Sequence, residues 1–269
     1  MILRPHEVAQ AEISKRAVAN AKAIGKHVLS IYGATEKAVE HLGSGIVISI
    51  GRRFYLMTAA HLLESGRNAN AFAVLSQDFR NFVFLDRRFL KSADDGDLAI
   101  AGLEDAEYLQ LGAAAVRYED FFHLPPLLKG RGLASIGWPN TKNEISQYKK
   151  LSPAAMLVSG PSVTASDIGQ ADEFDRKFVY QRYRPKESID EKGFGINPPK
   201  LRGLSGGLTV DLGNPLDPQS LVGGEVPKWH PVGILTEFDR HSKVIRSTRP
   251  HEFLRYCVES EVFSSLHTY

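Results

Sequence analysis

The stretch "INPPKLRGLSGGLTV" (196–210) holds Ser205 in the pattern Gly-x-Ser-Gly-Gly. Two unrelated folds present a reactive serine among glycines. In one, the serine follows a buried parallel strand and opens a helix; in the other, it lies in a loop between the strands of a β-barrel. The two prolines before Ser205 argue against a buried central strand, because proline lacks the N–H that such a strand needs, and "GGLTVDL" (206–212) has a β-like composition. The stretch therefore favours an all-β protein, although on its own it also fits a plain glycine-rich turn.

Short segments rich in β-branched or aromatic residues recur along the chain between turns, and this pattern is typical of strands. We predict strands at 26–33, 43–51, 52–59, 71–75, 81–90, 97–104, 132–140, 149–161, 177–183, 206–212 and 230–238. Helical patterns occur only near the ends, at 5–24 and at 249–260, and residues 184–200 read as a loop. This arrangement predicts an all-β barrel or sandwich with terminal helices.

Paired prolines in "HLPPLLKG" (123–130) divide the β-rich region into two parts of comparable size. We predict an N-terminal helical extension at 1–24, a first β-barrel at 25–125, and a second β-barrel with the closing helix at 126–269. The family resemblance described below places the start of the core near the first strand, so we expect the barrels to fold without the extension.

The composition is that of an ordinary globular protein, with 269 residues, 43% hydrophobic and 24% charged. The formal charge of +2, from 33 basic and 31 acidic residues, does not suggest a nucleic-acid-binding protein. No apolar run is long enough to cross a membrane. Cys257 is the one cysteine, which favours a reducing compartment, and "MILRPHEVAQAEISKR" lacks the apolar centre of a signal peptide. We therefore expect a cytoplasmic protein.

Two further motifs carry polar residues of catalytic type. "TAAH" (58–61) places His61 at a small-residue turn after an apolar run, and "DLAI" (97–100) places Asp97 directly before an apolar strand. His61 alone also fits a surface position at the start of a helix. Asp94 and Asp95 neighbour Asp97 and are alternative carboxylates, but the "DDG" that they open is more typical of a turn.

In this order, "TAAH", "DLAI" and "GLSGG" (203–207) resemble the signatures of the trypsin/chymotrypsin-like serine peptidases, and "PVGILTEF" (231–238) resembles the family's substrate-pairing strand. The resemblance spans about residues 26 to 260. It implies two antiparallel six-stranded β-barrels with a cleft between them, His61 and Asp97 in the first and Ser205 in the second. Leu204 stands where secreted members often have an aspartate that pairs with a newly cut N-terminus, so that activation step is excluded. The chain is closer to bacterial members that need no such cleavage.

The chemistry explains why these residue types occur together. A serine hydroxyl is a poor nucleophile at neutral pH and needs an adjacent base. Histidine suits that role because its pKa lies near the working pH, and a carboxylate on its far nitrogen fixes the tautomer. The resemblance assigns Ser205 as nucleophile, His61 as general base and Asp97 as the orienting carboxylate, with the backbone N–H groups of Gly203 and Ser205 as oxyanion hole.

These assignments predict a serine endopeptidase that acts through an acyl-enzyme on a protein or peptide substrate inside the cell.

 The natural context that the resemblance suggests is a regulated cut of one partner protein in bacterial stress response or anti-phage defence, with an activating protein partner. The alternative is a catalytically silent member of the same fold that binds peptides or a partner.

The resemblance also places Leu235, Thr236, Glu237 and Phe238 on the substrate-binding strand. None of the eight residues before Ser205 is acidic, so a buried Lys or Arg of the substrate would lack a carboxylate partner. We therefore predict cleavage after small or medium apolar residues. Glu237 remains the alternative partner, which would favour cleavage after Lys or Arg.

We expect no metal, because neither H-E-x-x-H nor a Cys/His cluster occurs. We also expect no cofactor, and the charge and the lack of a long apolar run lead us to expect neither nucleic acid nor a membrane as a partner. Cys257 lies in a helical pattern and is expected to be a packing residue. Seven other histidines have no partner motif and are expected to be ordinary surface or strand residues: His27, His41, His123, His230, His241, His251 and His267.

Overall fold

The computed structural model describes residues 5–34, 39–66, 71–85, 89–93, 96–121, 129–140, 155–183, 201, 203–217 and 228–260. The protein is mostly β, with one closed barrel, one half-barrel sheet, and a helix near each end of the chain. The predicted fold class is therefore confirmed. The division of the chain at residues 24/25 and 125/126 stays a prediction.

The first sheet follows the N-terminal helix. Its elements, with the helices between them, are α1 (Pro5–Gly25), β1 (Val28–Ala34), β2 (Val39–Ile50), β3 (Arg53–Ala59), α2 (Ala60–Ser65), β4 (Ala71–Leu75), β5 (Phe82–Leu85), β6 (Phe89–Lys91), β7 (Leu98–Leu103), α3 (Asp105–Leu111) and β8 (Val116–Arg117). The strand order is β5-β4-β1-β2-β3-β7-β6, and β8 pairs with β2. Within the described residues no ladder joins β5 to β6, so this sheet is a half-barrel.

The second sheet closes on itself. Its elements are β9 (Gly132–Gly137), β10 (Met156–Val163), α4 (Phe174–Lys177), β11 (Phe178–Arg182), β12 (Leu208–Asp211), β13 (His230–Asp239) and β14 (Val244–Thr248), followed by α5 (His251–Glu259). The barrel order is β10-β11-β14-β13-β12-β9. The sequence prediction missed β14 and α3, and it merged β5 and β6. The loop predicted at 184–200 and most of the break at 123–130 lie outside the described residues.

One hydrophobic core joins the two sheets. It contains Ile46 and Ile48 of β2, Ile136 of β9, and Leu254 and Cys257 of α5, all buried. Cys257 is thus a packing residue, as predicted, and burial raises the pKa of its thiol to about 12. Because both sheets and both terminal helices share this core, close packing fixes the position of one sheet relative to the other.

Helix α1 is part of the same core rather than an appendage. Ile13, Ala17 and Ile24 recur at helical spacing and are buried, and α1 packs against β9 and β10. Arg16 is also buried, and its guanidinium donates to the carbonyl oxygens of Leu212 and Asn214. This packing argues against the expectation that the barrels fold without residues 1–24.

Candidate active site

The pairing of β3 with β7 brings His61 to Asp97. These strands are antiparallel, and Ala59 at the end of β3 lies opposite Leu98 at the start of β7. The chain turns into α2 directly after Ala59, so His61 emerges beside the residue that precedes β7. Asp97 is that residue. Two positions 36 residues apart therefore meet because of strand register.

Asp97 contacts His61 with both carboxylate oxygens. The imidazole Nδ1 lies 2.6 Å from Oδ2, and the backbone N–H of His61 donates to Oδ1 at 2.8 Å. The carbonyl oxygen of Asp97 also accepts from the N–H of Ala60 at 2.9 Å. Asp97 thus satisfies N–H groups in the first turn of α2, which has no side-chain cap of its own. The backbone of Asp97 adopts φ +53, a left-handed conformation that aspartate tolerates better than most residues.

The His61–Asp97 pair is accessible to a substrate. The side chain of His61 is 41% exposed and that of Asp97 is 25% exposed. The alternative carboxylates of the sequence analysis, Asp94 and Asp95, lie outside the described residues. The contact at 2.6 Å belongs to Asp97.

Ser205 lies in a tight turn that leads into β12. The N–H of Gly206 donates to the carbonyl of Leu235 at 2.7 Å, and the N–H of Leu235 donates to the carbonyl of Gly207 at 2.9 Å. These bonds fasten the turn to β13. The hydroxyl of Ser205 lies 3.4 Å from the carbonyl oxygen of Thr236, at the outer edge of hydrogen-bond range.

Two glycines of the turn adopt backbone conformations that side chains disfavour. Gly203 has φ +95 and Gly206 has φ +84. A β-carbon on Gly206 would collide with the carbonyl oxygen of Ser44 and with Oγ1 of Thr58. The glycines are therefore needed both for the shape of the turn and for its close approach to the first sheet.

Ser44 of β2 fastens this turn to the half-barrel. Its N–H donates to the carbonyl of Ser205 at 2.8 Å, and its hydroxyl donates to the carbonyl of Gly203 at 3.0 Å. The same hydroxyl accepts from the N–H of Trp138, and the carbonyl of Ser44 accepts from the hydroxyl of Thr58. Ser44 is completely buried, and its hydrogen bonds join the segment before His61 to the turn that carries Ser205.

The segments that carry His61 and Ser205 meet around Gly43. A β-carbon on Gly43 would lie 2.9 Å from the carbonyl oxygen of Ser205 and 2.9 Å from Cδ2 of Leu62, the residue after His61. The structure therefore brings Ser205 next to the start of α2, where His61 lies. Gly203, the other predicted oxyanion-hole residue, belongs to the same turn.

Sequence reasoning missed two polar residues at this junction. Ser44 was part of a predicted strand, and the two glycines flanking it were the only local signal of close backbone approach. His41 was counted among ordinary histidines. It is buried, and its Nδ1 lies 2.7 Å from Oδ1 of Asn140.

The predicted substrate-binding residues lie on β13. Leu235 and Thr236 are buried, whereas Glu237 is exposed and forms an ion pair with Arg246 of β14 at 2.7 Å. The ring of Phe238 packs edge-on against Tyr183 at 5.2 Å between centroids.

Leu204 precedes Ser205 and is completely buried. It packs in an apolar cluster of the second barrel with Met156, Val158, Tyr183, Leu235 and Ile245. The residue before Ser205 is therefore anchored by apolar packing.

No protein-family model and no curated protein matches the chain. Solved structures do match. One, from work on the coupled folding and binding of the intrinsically disordered Sesbania mosaic virus VPg protein, is 16% identical over 85% of this chain and 87% of that chain, with a TM-score of 0.47. The Rv3671c protease from M. tuberculosis, in its active form, is 16% identical over 90% and 84%, with a TM-score of 0.48. The MamO protease domain from Magnetospirillum magneticum, in its apo form, is 12% identical over 87% and 96%, with a TM-score of 0.49.

These similarities are too low to carry an argument about activity, which has to come from the site itself. Within the described part of the chain, no helix is both long and apolar enough to span a lipid bilayer.

Proposed function

We propose that the protein is a serine endopeptidase in which Ser205 is the nucleophile, His61 the general base and Asp97 the carboxylate that orients it. The observation that carries the proposal is the contact between His61 Nδ1 and Asp97 Oδ2 at 2.6 Å. A histidine held in this way beside a turn that presents a serine is the arrangement that serine acyl transfer needs.

Asp97 prepares His61 for its role. A carboxylate only accepts, so the Nδ1 that it contacts carries the proton and Nε2 keeps its lone pair. The backbone bond from His61 N–H to the second carboxylate oxygen fixes the carboxylate relative to the ring. The imidazole is thus oriented before a substrate arrives, and the charge that it gains during the reaction faces a negative group.

The proposed reaction has two steps, and His61 transfers a proton in each of them. Oγ of Ser205 bonds to the carbonyl carbon of the scissile peptide while its proton passes to Nε2 of His61. The resulting tetrahedral intermediate collapses when that proton is given to the leaving amine, which breaks the C–N bond and leaves an acyl-enzyme. Water, deprotonated by His61, releases the acyl group and restores the Ser205 hydroxyl. The step requires Ser205 Oγ within about 3 Å of His61 Nε2 in the productive complex.

The turn around Ser205 supplies the stabilisation of the negative oxygen. In this proposal the N–H groups of Gly203 and Ser205 donate to that oxygen. The left-handed backbone conformation of Gly203 directs its N–H towards the oxygen. Such donors act without reorganisation because the turn is already fastened to Ser44 and to β13. Removing one donor of this kind typically costs on the order of 10² to 10³ in kcat.

Labelling with a fluorophosphonate probe tests the proposal. The wild-type chain should gain one phosphonyl group, located on Ser205 by peptide mass mapping, and Ser205→Ala should gain none. Ser166→Ala is the matched control, since Ser166 is an exposed serine outside the site, and it should label like the wild type. A folded wild-type chain that does not label, or a label on another residue, would favour the alternative of a silent peptide-binding protein.

Cleavage preference is a second part of the proposal. The ion pair with Arg246 already engages the carboxylate of Glu237, so that carboxylate is not free to bind a basic substrate side chain. We expect profiling with a peptide library to give cleavage after small or medium apolar residues. A dominant preference for Arg or Lys that Glu237→Gln abolishes would contradict this expectation.

A further inference from the structure

We propose that His41 and Asn140 form a positioning pair that holds Gly203, and with it the oxyanion-binding N–H groups, in the active arrangement. His41 belongs to β2 of the half-barrel and Asn140 follows β9 of the closed barrel. Their side chains meet at 2.7 Å although the residues are 99 positions apart. The inference rests on the proposed function, because the arrangement that it secures is that of a hydrolase.

The His41 ring has a fixed position and a fixed proton. It is 2% exposed, and Tyr32 packs edge-on against it at 5.0 Å. Burial lowers the pKa of His41 to about 4, so the ring is neutral at physiological pH. Nδ1 lies 2.7 Å from Oδ1 of Asn140, and an amide oxygen can only accept a hydrogen bond. The proton therefore lies on Nδ1, which donates to Oδ1 of Asn140.

Asn140 transmits this contact to the serine turn. A β-carbon on Gly203 would fall on Oδ1 of Asn140 and would lie 2.6 Å from the backbone nitrogen of Asn140. The α-carbon of Gly203 thus packs directly against Asn140, with no space for a methyl group between them. A shift of Asn140 would let Gly203 move, and its N–H would leave the direction needed for the oxyanion.

The pair and Ser44 act on different atoms of Gly203. Ser44 holds the carbonyl of Gly203 by a hydrogen bond, whereas Asn140 blocks the α-carbon by contact. Neither His41 nor Asn140 has a role in the proton transfers. Both are positioning residues, and their effect should appear in the transition state rather than in substrate binding.

Kinetics of variants test the pair. His41→Phe keeps the ring but removes the donor, and Asn140→Ala removes the acceptor. We expect each to lower kcat by about 10- to 100-fold with KM within about two-fold, because a small displacement of an oxyanion donor has that effect. His41→Gln, which can donate again, should recover part of the loss. The double variant should lose little more than either single variant.

Hydrogen exchange tests the same pair without relying on activity. In a Ser205→Ala background, His41→Phe and Asn140→Ala should speed exchange at the N–H of Gly206, which is normally bonded to Leu235, while exchange in α1 stays unchanged. His241→Phe is the control, since His241 lies in an exposed turn, and it should alter neither readout.

The outcomes separate the two proposals. If the wild-type chain does not label, but His41→Phe and Asn140→Ala still speed exchange only in the serine turn, the proposed function is wrong and the positioning role stands. Labelling that persists with unchanged kcat and unchanged turn exchange in both variants would overturn the pair. A uniform rise in exchange throughout the chain would also overturn it, because His41 would then be an ordinary packing residue.

Discussion

Asp97 shows how one side chain can serve both folding and the proposed chemistry. Its two oxygens accept from the His61 ring and from the His61 backbone, at 2.6 and 2.8 Å. Asparagine has one acceptor oxygen, so in Asp97→Asn one of these donors must lose its partner. If the amide NH₂ faces the ring, Nδ1 becomes an acceptor and the proton moves to Nε2, which can then no longer act as a base.

We therefore expect Asp97→Asn to lower kcat by a factor on the order of 10⁴ near neutral pH, as in the serine-protease template. Its unfolding free energy should fall by about 1 kcal/mol, because a helix-terminal N–H is less well satisfied. Probe labelling rates and urea titrations measure the two effects. Asp105→Asn, at an exposed position on α3, is the control. A labelling rate that survives in Asp97→Asn would show that another carboxylate orients His61.

His41 makes stability depend on pH. Burial lowers its pKa from 6.5 to about 4, so between these values the unfolded chain binds a proton that the folded chain does not. The unfolding free energy therefore falls as the pH drops from about 6.5 towards 4, by roughly 3 kcal/mol in total. Above pH 6.5 His41 is neutral in both the folded and the unfolded chain, so it no longer makes the unfolding free energy depend on pH. Tyr32, the titratable ring against His41, stays neutral because burial raises its pKa.

The measurement is the unfolding free energy in urea at pH 7 and at pH 4.5. His41→Gln should lose less stability between these two pH values than the wild type, since glutamine does not titrate. His241→Gln should keep the wild-type slope. Equal slopes in all three proteins would contradict a buried, neutral His41.

At this scale the sequence predicts residues whose neighbours form local motifs. His61 and Asp97 each stand at the end of an apolar strand, and strand pairing then joins them. His41 and Ser44 carry no such signal, because their partners Asn140 and Gly203 lie far away in the sequence and only tertiary packing brings them close. Such contacts leave no periodicity in a single sequence.

Helix α1 shows the corresponding limit for elements. Its bounds were predicted closely from Pro5 and Gly25, but its importance was not. Its buried apolar residues Ile13, Ala17 and Ile24 are few, and its other buried residues, Arg16 and Asn20, are polar, so the helix has the composition of a solvated one. Only the surface of β9 and β10 against which it packs reveals that it completes the core.

We expect Ile13→Ala to lower the unfolding free energy by about 2 to 5 kcal/mol, the usual cost of truncating a buried aliphatic side chain. Lys15→Ala is the control; Lys15 is 77% exposed, and its loss should change stability by about 0.5 kcal/mol or less. Deletion of residues 1–24 should remove the cooperative thermal transition or cause aggregation. A truncated chain that melts cooperatively near the wild-type temperature would restore the view of α1 as a dispensable extension.

Other elements were missed although their signals are visible. Glu104 and Glu107 form a capping box at the start of α3, and Gly112 ends the helix in a left-handed conformation. The helix has only seven residues, so periodicity over a longer window does not detect it. The merged strand at 81–90 separates because its two halves pair with different neighbours, β4 and β7.

Over the whole molecule, the serine turn is held from three directions. Ser44 attaches it to the half-barrel, the bonds of Gly206 and Leu235 attach it to β13, and Leu204 anchors it in the core of the closed barrel. The turn therefore takes its shape from the packing of both sheets.

Substitutions of Leu204 test whether this anchor sets the turn. Leu204→Asp places a carboxylate at a completely buried position among apolar side chains, and it should destabilise the fold by about 3 to 5 kcal/mol. Leu204→Ala leaves a cavity and should cost about 2 to 5 kcal/mol. Leu204→Met conserves volume and should cost less than about 1.5 kcal/mol.

The decisive comparison is between stability and probe labelling, measured at a temperature where each variant is folded. If the anchor shapes the turn, Leu204→Ala should label Ser205 more slowly than Leu204→Met, because the cavity lets the turn shift away from Ser44 and β13. Ile13→Ala is the matched control: it opens a comparable cavity in a different apolar cluster, which joins α1 to both sheets, and should leave the labelling rate of the folded protein unchanged. Equal labelling by all three variants would mean that Ser44 and β13 define the turn without Leu204.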